Sequence, residues 1–419
     1  MMRKISLISL MTTVMVLMMP ACSDSNEPGV DGEEPLKPRV DIPLTRSQQE
    51  LVDSEVRFSF DFLSAVNNEF IQGNDNSNYA VSPLSMQRDL SILANGAAGT
   101  TLEEIMKVLH LGSDATIDDL NNLNATLLNG LLNADSWVKL LFSSSAWFDT
   151  AFPVKDDYTN LIGNHYDTPF TYVDFRDKAT KNIINSWVKE HTKGEIERLI
   201  GEDESTDMVR FMLLDALYFK GKWADVFEKD KTTSGTFYNH GVEPVSVATM
   251  NTTAYVGIDR DEQMTTMSMD FGNRSFSMNF MMANEGNDID DLISAMDYER
   301  WQAIKSGMVK RELQVYLPKF KVSKEIALTS VLDKLGLSVI SPDLSLLSDS
   351  EVGFLRMRQN TVIEVEERGA LATTVTEVSG LYTAAGPLPG EIHFDRPFIF
   401  FIEEQSTGAI LFMGKITEL

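Results

Sequence analysis

Ile392-His393-Phe394-Asp395-Arg396-Pro397-Phe398-Ile399-Phe400-Phe401-Ile402, followed by Leu411-Phe412-Met413-Gly414-Lys415, lies towards the C-terminal end of the chain, and its reading decides the fold. Pro397 to Glu403 and Ala409 to Ile416 are strand-like runs. A third, Thr361 to Glu367, lies upstream, with Ile363 and Val365 facing one way and Glu364 and Glu366 the other. The chain between them, Glu366 to Phe394, does not fit a plain globular pattern. Glu367-Arg368-Gly369-Ala370-Leu371-Ala372-Thr373-Thr374-Val375-Thr376 has strand propensity and few bulky side chains. It runs into Ser379-Gly380-Leu381-Tyr382-Thr383-Ala384-Ala385-Gly386-Pro387-Leu388-Pro389-Gly390, which is loop by its Gly and Pro content. A connection of about 25 residues is longer than compact domains usually carry without a function, although a plain surface loop also fits it.

Further upstream, order is expected to begin near Ser47. Ser47-Gln48-Gln49-Glu50 fits a capping box, and Phe58, Phe62, Val66 and Phe70 recur every fourth residue, which predicts a helix of about 25 residues. Phe276, Met278 and Phe280 alternate with Ser275, Ser277 and Asn279 after a Gly272-Asn273 turn, as in a hairpin strand with one buried face. Leu313, Val315 and Leu317 alternate likewise, and Leu328, Val331, Leu332 and Leu335 form a helical stripe closed by Gly336. No internal repeat, βαβ rhythm or Gly-rich phosphate loop is present. The pattern is α+β with large antiparallel or mixed sheets.

Composition narrows the function. The 419 residues are 43% hydrophobic and carry 36 Lys and Arg against 62 Asp and Glu, a net charge of −26. A chain so acidic is a poor partner for nucleic acid or heparin, which need clustered cations. One cysteine closes no internal disulfide and builds no ordinary zinc site. Its position is informative instead: Arg3 and Lys4, the apolar run Ile5 to Met19, and Met19-Pro20-Ala21-Cys22 read as a signal peptide over residues 1–21 that resembles a bacterial lipobox. Cys22 would then carry lipid, residues 22–44 would form a polar tether too hydrophilic to pack, and the protein would sit at the outer membrane or cell surface. Enzyme signatures are missing. The five histidines are scattered, with no His-Glu-x-x-His, no Gly-x-Ser-x-Gly and no cysteine nucleophile in the body of the chain. The acidic pairs Asp288 with Asp290 and Glu403 with Glu404 read as solvated surface. No metal or cofactor is expected.

The C-terminal stretch resembles the signature of the serpin family at every constrained place. Asn78-Tyr79-Ala80-Val81-Ser82-Pro83-Leu84-Ser85, Leu217-Tyr218-Phe219-Lys220-Gly221-Lys222-Trp223, Leu317-Pro318-Lys319-Phe320 and Glu366-Glu367-Arg368-Gly369 are similar to further motifs of that family, in the same order. The resemblance spans Ser47 to Leu419 and implies a serpin fold over 45–419: three β-sheets, about nine helices and an exposed reactive loop at about 367–391.

It also implies a mechanism. A target serine protease, the expected partner, cuts the loop, is trapped as an acyl-enzyme, and is carried off as the loop inserts into the central sheet of a monomeric, metastable inhibitor. Insertion demands small inward side chains. Counted from the hinge at Glu367 and Gly369, the inward set Ala370, Ala372, Thr374 and Thr376 is small, although Ala370 and Leu371 depart from the Thr or Ser and the Glu usual there. Counting as in relatives puts the scissile residue at Thr383, with Tyr382 and Ala384 as neighbouring candidates. Such side chains suit elastase-, chymotrypsin- or subtilisin-like enzymes. The alternatives are a non-inhibitory serpin and a cross-class inhibitor of cysteine proteases. Near the site of sheet opening, Asp215 replaces a family Asn and Gln359 a common His beside Ser82 and Ser85, while Trp223 is expected to pack at the top of that sheet. Gln87-Arg88-Asp89 is unusually polar for a helix buried in relatives.

Overall fold

The structure is a computed structural model that describes residues 35–419 except 193, 195 and 368–389; the side chains of 142 and 215–217 also lie outside the description. In chain order the elements are α1 (Arg46–Gln72), β1 (Tyr79–Val81), α2 (Pro83–Ala94), α3 (Gly99–Val108), α4 (Ile117–Asn133), β2 (Val138–Asp149), α5 (Asp156–Tyr166), β3 (Phe170–Val173), α6 (Lys178–His191) and β4 (Phe211–Gly221). There follow β5 (Thr233–Asn239), β6 (Glu243–Arg260), β7 (Met264–Asp270), β8 (Phe276–Ala283), α7 (Ile289–Ser294), α8 (Tyr298–Gly307), β9 (Val309–Pro318), β10 (Phe320–Ala327), α9 (Thr329–Leu335), β11 (Arg358–Val365), β12 (Gly390–His393), β13 (Phe398–Glu404) and β14 (Ile410–Ile416).

Among the described residues the strands make three sheets. The largest runs β1-β14-β13-β8-β7-β6-β9-β12, with β5 paired to β6; the others are β3-β2-β4 and the pair β10-β11. The quoted C-terminal stretch is the spine of the largest. β13 pairs antiparallel with β8 on one side and β14 on the other, and all seven of its residues are buried. Gly414 has a reason to be glycine, because a Cβ there would stand 2.5 Å from the Tyr79 carbonyl oxygen and 2.6 Å from the Phe400 ring. On this sheet lie α1, whose Phe58 and Phe62 stack at 5.4 Å, and α8, whose Trp301 meets Phe401 edge-on at 4.7 Å. Each aromatic buried in this way contributes about 1.5–3 kcal/mol.

Four sequence expectations need correcting. The cap of α1 is Thr45, whose hydroxyl accepts from Gln48 N while the Gln48 side chain accepts from Thr45 N, so the capping box opens two residues before Ser47. The expected tether through residue 44 is bound to the fold from Pro35: Lys37 N donates to Ser136 Oγ, and Ile42 is buried over Gly130 while its N donates to Ser406 Oγ at 2.9 Å. Two apolar side chains, Ile42 and Leu44, together with these hydrogen bonds dock an otherwise polar segment. β8 is buried on both faces, Ser277 and Asn279 included, because α8 packs over the polar side: Asn279 Nδ2 donates to Glu403, which also takes Lys305 of α8. Glu403 and Glu404 are buried too. Glu404 accepts four hydrogen bonds, from the backbone and hydroxyls of Ser406 and Thr407, and Glu403 takes Lys305 Nζ at 2.9 Å and Asn279 Nδ2 at 3.3 Å. A carboxylate enters an interior when donors meet its oxygens there.

Glu55 of α1 lies beside this acidic pair, fully buried, with Ser59 Oγ and Ile410 N as donors. Burial, with Glu403 adding like charge, pushes its carboxyl up to about 8 against those two hydrogen bonds. A folded-state value above the unfolded one means that the folded protein holds the proton more tightly. This contribution is therefore complete at acid pH and is lost as pH rises through about 8, by up to about 1.4 kcal/mol per pH unit. Glu55→Gln should match wild type in urea midpoint at pH 5 and exceed it at pH 9. An equal midpoint at both would show Glu55 ionised without cost.

Candidate functional site

β4 and β11 each have one unused edge. Among the described residues β4 pairs only with β2, and β11 only with β10. The two lie beside each other pointing the same way: Trp223, just past the end of β4, donates its Nε1–H to the carbonyl of Glu366, just past the end of β11, at 3.1 Å. Leu214 of β4 and Val362 of β11 pack against one cluster formed by Val188 of α6 with Ile196 and Leu199 of the segment after it. The gap between two unfilled strand edges is thus covered from outside by a helix and its tail, which is how an open edge is kept from pairing at random.

The hinge end of the gap is pinned by specific contacts. Trp223 is 1% exposed and stacks on Phe271 at 4.3 Å. Glu367, the residue at which the expected reactive loop begins, is buried and accepts from Lys319 Nζ and Thr232 Oγ1, each at 2.8 Å. Burial pushes its carboxyl up, and the Lys319 ammonium with the Thr232 hydroxyl more than offsets this, leaving it below the usual Glu range. At the loop's other end Gly390 starts β12, which runs parallel to β9, and His393 stacks flat on Tyr316 at 4.1 Å.

Beneath the gap lies the N-terminus of α2. Gln359 of β11 grips Ser82 twice, accepting from its backbone N at 2.6 Å and donating to its carbonyl at 3.0 Å. Ser82 Oγ donates to Leu411 O of β14 at 2.7 Å and lies 3.1 Å from Ser85 Oγ, while Ser85 N donates to it at 3.2 Å. The structure thus brings Ser82, Ser85 and Gln359 together. One turn on, Gln87 and Arg88 are buried: Arg88 donates to Ser144 Oγ of β2 and to the carbonyl of Tyr166, and lies 5.1 Å over the Tyr166 ring. Tyr166 in turn donates to Asn121, which exchanges hydrogen bonds with Asn95. The polar run that looks out of place in a buried helix is the centre of a web joining α2, α4, α5 and β2.

The backbone of Asp215 stands opposite Ser144 in the β2–β4 register. Its side chain, the scissile candidates Tyr382, Thr383 and Ala384, the hinge positions Gly369, Ala370, Ala372 and Thr374, and Cys22 lie outside the described residues. The anchors Lys319 and Thr232 escape sequence reasoning as partners of Glu367. Lys319 sits in a quoted motif that could have signalled it, whereas nothing marks Thr232.

Cutting the Lys319 contact leaves a buried carboxylate with one hydroxyl. Lys319→Met should lower stability by about 1–2 kcal/mol, the penalty for stripping a partner from a half-sheltered pair. Urea midpoints would measure it, with Lys189→Met, in an exposed 3.5 Å pair with Glu197, as the control expected to change by under about 0.5 kcal/mol. Equal effects of the two substitutions would deny the hinge contact any special weight.

A family model described as Serpin (serine protease inhibitor) matches residues 53–419. Iripin-3 of Ixodes ricinus is 30% identical over 359 residues, covering 82% of this chain and 89% of the relative. A Cyanea capillata protein named Serine protease inhibitor is 28% identical over 380 residues, covering 88% and 98%. Among solved structures, the thermophilic serpin tengpin in its native state matches with a TM-score of 0.79 at 25% identity, over 91% of this chain and 97% of tengpin. The matched region contains β4, β11 and Glu367, and the chain belongs to the serpin family.

Proposed function

We propose that this serpin inhibits serine proteases as a suicide substrate, with elastase-, chymotrypsin- or subtilisin-like enzymes as targets. The observation that carries the reading is the pair of unused edges on β4 and β11, running the same way, with the loop starting from Glu367 at the mouth of the gap. A strand that turns back from the end of β11 enters antiparallel to both neighbours. Each residue it adds gains ladder hydrogen bonds, each worth about 0.5–1.5 kcal/mol net, along with apolar burial that the native form lacks. The inner wall it must pass holds Ser82 and Gln359 close together, so the alternate small residues Ala370, Ala372, Thr374 and Thr376 suit entry without overpacking.

In this mechanism the protease supplies the chemistry. Its nucleophile attacks the carbonyl of the scissile residue, Thr383 or a neighbour, the peptide bond breaks, and the new amino terminus leaves while the ester remains. Loop insertion then carries the ester-linked enzyme away before water can attack. No cofactor or metal enters. The N-terminal residues Arg3, Lys4 and Ile5 to Met19 followed by Cys22 support a lipid-anchored protein at the outer membrane or cell surface. Labelling with a radioactive fatty acid that persists in Cys22→Ala would refute that anchor.

Mixing the folded protein with elastase, chymotrypsin or subtilisin at near-equimolar ratio should give an adduct stable on a denaturing gel. Mass spectrometry of the released fragment should place its new N-terminus between Thr383 and Ala385. Ala372→Arg should abolish the adduct and leave cleavage intact. Cleavage of wild type without any adduct would instead identify a non-inhibitory serpin.

A further inference from the structure

The gap between β4 and β11 is bridged by Trp223 at the hinge end and by the apolar cluster over its middle, and a third bridge, ionic, lies at the far end. Glu204, in the segment that leads into β4, accepts from Arg356 Nη1 at 2.9 Å through one carboxylate oxygen and from Arg358 Nη1 at 3.0 Å through the other. Arg356 stands just before β11 and Arg358 opens it. Glu204 is also tied to α6, since Lys181 Nζ donates to its backbone carbonyl and, at 3.0 Å, to that of Glu202. On the opposite side Arg358 touches Glu325 Oε1 of β10 at 3.4 Å. Side-chain exposures of 23% for Glu204 and 17% for Arg358 shelter the pair from full solvent screening. Burial pushes the Glu204 carboxyl up, but the two guanidinium groups and Gly201 N–H outweigh it, so the group is ionised at neutral pH.

We propose that Glu204 with Arg356 and Arg358 is a latch that sets how fast β4 and β11 part at the end farthest from the hinge, and so the rate of the last stage of loop insertion. This rests on the insertion mechanism proposed above. A strand placed between β4 and β11 sets their backbones roughly 9.6 Å apart, two ladder spacings, and the segment bearing Glu204 must move with β4. The cluster joins elements that share no backbone ladder among the described residues, so it holds the native form without holding the opened one. A contact present in the starting state and lost at the transition state slows the step by its full worth. The hinge contacts act where insertion begins; the latch acts where it finishes, on the length of strand that decides whether a trapped enzyme is carried the whole way.

The test follows conversion of the full chain to its loop-inserted form on warming, read as the fraction that resists urea on a gradient gel. Glu204→Gln, which keeps the size and one acceptor, should convert about fivefold to tenfold faster than wild type. Glu325→Gln, which removes only the contact on the β10 side, should convert at the wild-type rate. Raising the salt concentration should speed wild type and leave Glu204→Gln unchanged. The latch is overturned if Glu204→Gln converts no faster than wild type, if Glu325→Gln accelerates equally, or if salt has no effect on wild type. The insertion mechanism is judged separately, by wild type alone: if cutting its loop with a protease confers no urea resistance, that mechanism fails whatever the variants do.

Discussion

Two strand edges with no strand paired between them among the described residues are the constraint around which this protein is arranged. A free edge presents a row of backbone donors and acceptors, and a folded protein ordinarily covers or pairs them. Here β4 and β11 face one another, and among the described residues three unlike devices join them. An indole reaches a carbonyl at one end, an apolar cluster from α6 lies over the middle, and a carboxylate between two arginines closes the other end. Each joins the half-sheets through side chains. Side-chain contacts of this kind can be exchanged one at a time, whereas a continuous ladder between β4 and β11 would have to be broken as a unit.

The largest sheet is built to the opposite rule. β8, β13 and β14 are buried along their whole length, with aromatic packing at Phe400, Phe401 and Trp301 and a glycine at 414 where no side chain fits. That sheet resists rearrangement because its interior is close-packed and any shift opens voids. The polar groups gather instead where α2 meets β11, β14, β2 and the end of α5: Gln359 on Ser82, Ser82 on Leu411, Arg88 on Ser144 and Tyr166. Hydrogen-bonded contacts can be remade in a new register, and a buried cation with aligned acceptors favours one arrangement strongly over its neighbours.

How far the sequence reveals this depends on the range of the interaction. The strands at Thr361, Pro397 and Ala409, the α9 stripe and the long α1 are written in local periodicity, and they appear with boundaries shifted by a few residues. The Thr45 cap slipped because Ser47 offers the same chemistry two residues on. Ser277 and Asn279 read as a solvent face, since alternation cannot report that Glu403 and α8 pack over that side of β8. Glu403 and Glu404 misled for a related reason: their donors, Lys305 and the Ser406-Thr407 turn, matter only after folding. At the site, Ser82, Ser85, Gln359 and Trp223 could be singled out by resemblance. Thr232, Lys319 as a partner of Glu367, and the pairing of Glu204 with Arg358 depend on chain segments far apart in sequence.

Net charge takes on a local meaning in this light. A surplus of acid on a chain of −26 works against compactness, and exposed pairs offset little of it. Yet the carboxylates that matter are those placed out of bulk solvent and given a cation each: Glu367 with Lys319 at the hinge, Glu204 with its two arginines at the far end, Glu403 with Lys305 under the fixed sheet. Only the second straddles the gap: Lys319 and Glu367 flank the same end of the paired strands β10 and β11 on one side of it, and the third stands away from it. Breaking the Glu204 contacts removes a tie between the two half-sheets, whereas breaking the Lys319 or the Lys305 pair weakens contacts within one side of the molecule. Under the insertion mechanism proposed above, identical chemistry would bear on a rate at Glu204 and on a stability at Glu403, and the difference lies in whether the partners belong to elements that would have to part.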